Sequence, residues 1–206
     1  MSLESLPALL VTVESYGSAP SPQRPLIDSR QFAMLIFIVT EVMFFASLVS
    51  AYLIIRSGVE EWPPWGQPRL PVWSTALNTA VLLSSGIAAY LSGRQLRAGL
   101  EAAHRTMGIA VALGTFFLVF QGYEWMQMLG FGLTMTSSTY GGLFYLIIGT
   151  HGVHVLGALT ALAYTCMRMN LGQEQPITQG GASAVRMLWY FVVGVWPILY
   201  VLVYLA

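Results

Sequence analysis

Five stretches of the chain, approximately Gln31–Arg56, Val72–Leu96, Arg105–Met128, Gly141–Arg168 and Val185–Leu205, are almost continuously apolar. A hydrocarbon core of roughly 30 Å takes about 20 helical residues to cross, so each stretch is long enough to span a bilayer. Hydrophobic residues make up 56% of the 206 and charged residues only 9%, with a mean hydropathy of +0.66, which excludes an ordinary water-soluble domain. None of the runs shows the ten-residue alternation of an outer-membrane strand. The expected fold is therefore all-α: a polytopic membrane protein built as a bundle of five transmembrane helices.

Residues 1–29 contain Pro20, Pro22 and Pro25 among Ser, Glu and Arg, and lack the short apolar stretch and cleavage site of a signal peptide. They are read as a polar arm preceding a membrane domain over residues 30–206. The chain has no lysine, so the arginines set the orientation. With the N-terminus inside, Arg24, Arg30, Arg94, Arg97, Arg105, Arg168 and Arg186 fall on the cytoplasmic side and only Arg56 and Arg69 opposite. This bias predicts an inner N-terminus and an outer C-terminus. Trp62, Trp65 and Trp73, in the first outer loop and at the start of the second run, are expected at the membrane–water boundary. A formal net charge of zero and the lack of a basic cluster argue against nucleic acid as a partner.

Polar groups inside the runs point to function, because they are costly in hydrocarbon and need partners. Glu41 lies in the first run, Gln121 and Glu124 in the third, and His151 and His154 in the fourth. At 1.5 Å per residue, Glu41 is roughly 16 Å into its helix and His154 roughly 16 Å from the outer end of its own, so the two sit at compatible heights. Equal depth does not by itself make them neighbours. A carboxylate at this depth is expected to be uncharged and hydrogen-bonded, serving either proton transfer, ion coupling or lipid contact, or simply helix packing. His151 and His154 share a helix face and could in principle ligate a metal, but a third protein ligand is lacking, since His104 falls in the charged segment Arg94–Arg105 outside the membrane. Gln121 and Glu124 also share a face, with Glu124 expected near the outer helix end and within reach of water.

Close helix packing is expected at Gly149, Gly152 and Gly157 of the fourth run and at Ser84, Ser85 and Gly86 of the second, with Asn78 and Thr79 adding interhelical hydrogen bonds. Pro197 should bend the last helix or free a backbone carbonyl. The single cysteine, Cys166, excludes an internal disulfide and reads as a small buried hydrophobe.

Six segments in order carry a family resemblance: Phe37-Ile-Val-Thr-Glu-Val-Met-Phe-Phe45, Trp62-Pro-Pro-Trp-Gly66, Leu77-Asn-Thr79 followed by Ser85-Gly86, Gln121-Gly-Tyr-Glu-Trp125, Tyr140-Gly-Gly-Leu-Phe144 and Gly149-Thr-His-Gly-Val-His-Val155. Across about Gln31 to Tyr204 the chain resembles subunit III of the haem-copper respiratory oxidases, in the five-helix form of bacterial cytochrome c and quinol oxidases. The resemblance implies a non-catalytic accessory subunit of the cell inner membrane. It would bind no redox cofactor or metal itself, and would pack with subunit II and with the catalytic subunit I, which holds haem and copper. It further implies support of assembly, assistance to proton uptake by the catalytic subunit, and phospholipids held in a cleft between the first two of these helices and the other three. Glu41 matches the family's membrane carboxylate, tied to that proton and lipid environment. Gln121, Glu124, His151 and His154 are carried over as intramembrane hydrogen-bond formers, and Gly86, Gly149, Gly152 and Gly157 are expected to serve helix packing.

The last helix departs from the family pattern of Trp-His-Phe-Val-Asp, reading Trp189-Tyr-Phe-Val-Val193, so Tyr190 and Val193 stand where a histidine and an aspartate are usual. Pro197 also stands where the family continues with an apolar residue. The departures leave open an accessory protein of a nitric oxide reductase or another respiratory complex. An independent membrane carrier or b-type cytochrome using Glu41 and the two histidines is a further alternative.

Overall fold

The computed structural model describes residues 28–65, 68, 70–170 and 176–205, with backbone alone for residues 170 and 176–179. The expected N-terminal arm, but for its last two residues, and Arg24, Gly66 and Arg69 lie outside the described residues. The described chain forms five helices, α1 (Ser29–Ser57), α2 (Val72–Arg97), α3 (Ala102–Gly130), α4 (Thr139–Asn170) and α5 (Pro176–Tyr200), the last continued by a π-helical turn, Val201–Leu205. All five are long and apolar enough to cross a membrane, and no strand occurs among the described residues. Each helix reaches past the hydropathy run that announced it, because helical hydrogen bonding continues beyond the hydrocarbon while apolarity does not.

Local chemistry fixes the ends. Asp28 caps α1 by accepting the Arg30 amide at 2.9 Å. Two helices end on glycines with positive φ, Gly99 at +69° and Gly132 at +89°. In each case the following residue's amide reaches back to a carbonyl five residues earlier, Leu100 to Gln95 and Leu133 to Met128, both at 3.0 Å, which satisfies orphan carbonyls as the chain reverses. Pro176 opens α5, where its missing amide removes nothing the helix needs. Pro197 does not end α5, which runs on to Tyr200 before the π-helical turn begins. Trp65 and Trp73 are exposed, at 88% and 86%. Trp62 differs from its expected boundary position: it turns inward, donating to the Tyr52 hydroxyl at 3.2 Å and packing edge-on against Tyr140.

The α2–α3 pair is the most extensively packed of the bundle. Its seam is a repeated hydrogen bond: Ser92 donates to the Ala103 carbonyl at 2.8 Å, Ser85 to Ala110 at 2.7 Å, and Asn78 to Phe117 at 3.2 Å. Donors and acceptors are each spaced by seven residues, so the same contact recurs every two turns along the antiparallel pair. Small side chains let the backbones approach closely enough for these bonds. An interhelical bond in a membrane bundle averages about 0.6 kcal/mol, so Ser85→Ala is expected to cost about that much and Ser85→Ala with Ser92→Ala about twice as much. Reversible unfolding in mixed micelles checks the additivity.

Helix α5 is the hub, touching α1, α2 and α4. Its Trp189, Val192, Trp196, Leu199 and Val203 recur at three- and four-residue spacing and are all buried. By contrast, α1 packs mainly on α5 and to a smaller extent on α4, and most of its apolar residues are exposed. This corrects the expected lipid cleft between α1–α2 and α3–α5. Helix α2 is bound to α3 by its hydrogen-bonded seam, so α1 alone stands at the edge of a four-helix core.

Candidate functional site

Where α1 meets α4, His154 Nε2 stands 2.9 Å from Glu41 Oε2, the two side chains being 21% and 15% exposed. Equal depth thus becomes contact. The other ring nitrogen, Nδ1, lies 2.8 Å from the Thr150 carbonyl oxygen one turn earlier. A carbonyl only accepts, so Nδ1 carries a proton, and Nε2 facing Glu41 either offers a lone pair to a carboxylic acid or a second proton to a carboxylate. The contact is attractive only with a proton on one of the two facing atoms. Glu41 Oε2 is buried and has no well-aligned hydrogen bond, so the contact is close but not yet in the line of an ideal one. Phe44 and Phe45 flank the imidazole at 6.3 and 5.3 Å between ring centroids, keeping much of its surroundings apolar.

His151 takes a different position, 1% exposed and stacked on Trp196 at 5.2 Å with 25° between the rings. Phe45 lies edge-on to it at 6.0 Å. Neither ring nitrogen of His151 has a hydrogen-bond partner among the described residues, which corrects its assignment as an intramembrane hydrogen-bond former. The cause is local: three residues turn the helix by about 300°, enough to aim His154 at α1 and leave His151 against α5. The two histidines are not co-ligands, and among the described residues no group of three or more His, Cys, Asp or Glu could hold a metal.

A second polar cluster joins α2, α3 and the π-helical turn. Glu124 is 3% exposed, correcting the expectation that it sits within reach of water. Ser74 donates to its carboxylate, Thr75 Oγ1 lies 3.0 Å from Oε2, and Gln121 Nε2 donates to Oε2 at 3.2 Å. Gln121 also donates to the Tyr204 hydroxyl at 3.3 Å and accepts from Asn78 at 3.4 Å. A carboxylate counted from the end of α3 looks close to water, but the first turn of α2 and the end of α5 close over it. Ser74, Thr75 and Tyr204 were not singled out from the sequence. A usable signal was the recurrence of Thr75, Asn78, Thr79, Ser85 and Ser92 on one face of α2.

The packing glycines divide. A Cβ on Gly86 would stand 3.0 Å from Val193 Cγ1, and one on Gly152 3.0 Å from the Trp125 ring, so both permit close approach. Gly149 and Gly157 have nothing within 4 Å of such a Cβ, which corrects their assignment to packing. Gly114, not singled out from the sequence, is tighter than Gly86 or Gly152, its Cβ falling 2.8 Å from Trp189 and 2.9 Å from Leu159. Val193, standing where an aspartate was expected, fills the space opposite Gly86 and is 7% exposed. Trp196 in turn donates to Thr79 Oγ1 at 2.8 Å.

The family model described as cytochrome c oxidase subunit III matches residues 23–206, nearly the whole chain. The chain belongs to the cytochrome c oxidase subunit III family. It is 33% identical over 183 residues to cytochrome c oxidase subunit 3 of Synechocystis sp., covering 86% of this chain and 76% of that protein. It is 30% identical over 200 residues to the protein of the same name from Thermostichus vulcanus, covering 94% and 96% respectively. A third relative, probable cytochrome c oxidase subunit 3 of Mycobacterium leprae, is 31% identical over 171 residues, with 82% and 84% covered. As a member of the subunit III family the chain is a multi-pass membrane protein, and its Tyr190 and Val193 lie within the matched region.

Proposed function

We propose that this chain is a non-catalytic accessory subunit of a haem-copper terminal oxidase in a bacterial inner membrane, with its N-terminus inside and its C-terminus outside. It packs against catalytic subunit I and subunit II, which carry the haem and copper, stabilises the assembled complex, holds phospholipid and assists proton uptake by its neighbour. The observation that carries this reading is the subunit III match over residues 23–206. Relatives named as subunit 3 of cytochrome c oxidase, matched over more than four fifths of this chain, support it. The arginine asymmetry supports the orientation.

The contact between α1 and α4 gives the proton role a physical form. Because the Thr150 carbonyl holds the Nδ1 proton of His154, its Nε2 is left to face Glu41, and a small realignment of the two side chains would let a proton pass between them. Both side chains are partly exposed on the edge of the bundle, where a neighbouring subunit can reach them. The pair stores and releases a proton; oxygen chemistry belongs to the neighbour.

Purification through a tag on this chain, with mass spectrometry of every associated polypeptide and haem and copper analysis, tests the assignment. A large haem- and copper-bearing partner is expected, and stoichiometric haem on the isolated chain overturns the reading. Glu41→Gln preserves a polar contact to His154 but removes the shared acid. The complex should assemble normally and lose sustained oxygen consumption only modestly, well short of the roughly hundredfold cost of losing an obligatory acid–base group. Immediate total loss with normal assembly would mean that Glu41 acts directly in the chemistry.

A further inference from the structure

Between α3 and α4 lies a cavity of about 340 Å³. Three glycines make room for it, Gly122 on α3 and Gly149 and Gly152 on α4. Nothing stands within 4 Å of a Cβ at Gly122 or Gly149, and a Cβ at Gly152 meets the Trp125 ring. Phe117, Trp125 and Trp196 supply aromatic walls, and Leu118, Val153 and Leu156 lead outward. Val153 and Leu156 are well exposed and lie midway along a membrane-spanning helix, so the mouth opens to hydrocarbon and not to water.

Two residues of this apolar lining carry unmet polar groups. His151 is 1% exposed and neither of its ring nitrogens has a hydrogen-bond partner among the described residues; Trp125 Nε1 is likewise buried and unpartnered. Trp196 covers a face of the His151 ring and Phe45 meets it edge-on, and neither offers an acceptor there. Gln121, also in the lining, is already bonded to Asn78, Glu124 and Tyr204. A buried N–H is costly until an acceptor reaches it. Indole only donates and a neutral imidazole carries one N–H, so the missing partner is a molecule with two acceptors. It must be dissolved in the membrane and flat enough to lie against aromatic walls. It must also be neutral, because no carboxylate, lysine or arginine lines the cavity to pair with a charge.

We propose that this cavity binds the ring of an isoprenoid quinone, one carbonyl oxygen accepting from Trp125 and the other from His151, with the prenyl tail leaving past Leu118, Val153 and Leu156. The site holds the molecule without electron transfer. It requires only that the chain lie in a membrane, not that it assist a proton or join an oxidase, and it uses neither Glu41 nor His154.

The test uses the full chain, with whatever subunits accompany it, and ubiquinone-2 with its azido derivative as photoprobe. Irradiation should label peptides of α3 and α4 that border the cavity. Excess ubiquinone-2 should remove the label, whereas geranylgeraniol, a prenyl tail without the ring, should not. Gly149→Leu fills the cavity with no clash at its own Cβ and should cut labelling roughly tenfold or more. Gly157→Leu, equally open but outside the cavity about two turns farther along α4, should leave labelling unchanged. His151→Phe keeps an aromatic ring beside Trp196 and removes both nitrogens, so affinity should fall roughly fivefold, the worth of about one hydrogen bond. Equal labelling of the native chain and Gly149→Leu overturns the proposal, as does native affinity in His151→Phe. Displacement by geranylgeraniol as effective as by ubiquinone-2 makes the cavity a groove for hydrocarbon and overturns the quinone. An intact complex without label, its cavity filled by a neighbouring helix, overturns it as well.

Discussion

Cells in which Glu41→Lys is the sole copy of this chain are expected to contain almost none of it in assembled complexes. A lysine at the centre of a membrane helix costs about 2.5–3.5 kcal/mol on insertion scales and more in simulations. Here the penalty has no local relief, since the nearest polar group is His154, which can itself be a cation, and Phe44 and Phe45 occupy the neighbouring space. Helix α1 has little other contact to hold it, because among the described residues it packs mainly on α5 and, less extensively, α4. Immunoblots of membrane fractions and native gels measure the outcome. Normal abundance and assembly would show that position 41 reaches water or a neighbouring acid, contrary to the buried setting of its Oε2.

The second large effect is expected at Gly114. A Cβ there already stands 2.8 Å from Trp189 and 2.9 Å from Leu159, and Trp189 is completely buried, so neither ring nor helix can yield cheaply. Overpacking of a closed core typically costs about 1–3 kcal/mol. Gly114→Val, which adds two methyl groups beyond that Cβ, should reach the upper part of this range. Gly108→Val on the same helix is the control, since nothing lies within 4 Å of its Cβ. Thermal inactivation in detergent should separate the two by several degrees, and equal stability would mean that α3 and α5 slide apart at no cost.

The helices were legible because hydrocarbon leaves a chain few choices: each run long enough to span had to satisfy its own backbone. Their ends were less so, being set by Asp28, Gly99, Gly132 and Pro176 rather than by hydropathy. Depth placed Glu41 and His154 at one level, yet only the packing of α1 on the α4–α5 edge makes them neighbours. Glu124 was misjudged because depth along α3 says nothing about which other helix ends lie over it. The four packing glycines show the same limit: Gly86 and Gly152 are pressed against a neighbour, Gly149 lines an open space between α3 and α4, and Gly157 meets nothing within 4 Å, and periodicity on one helix cannot tell these apart. His151 looked like a hydrogen-bond former by residue type, whereas its ring is stacked on Trp196 as an aromatic surface.

The seam between α2 and α3 places its two sides under unequal evolutionary demands. Every donor is a side chain of α2, and every acceptor is a backbone carbonyl of α3. Replacing Ser92, Ser85 or Asn78 removes a bond outright, whereas Ala103, Ala110 and Phe117 can exchange for residues of similar bulk and leave every acceptor in place. Along this seam one helix is thus bound by residue identity and its partner only by size, which leaves those three positions of α3 the freer to drift.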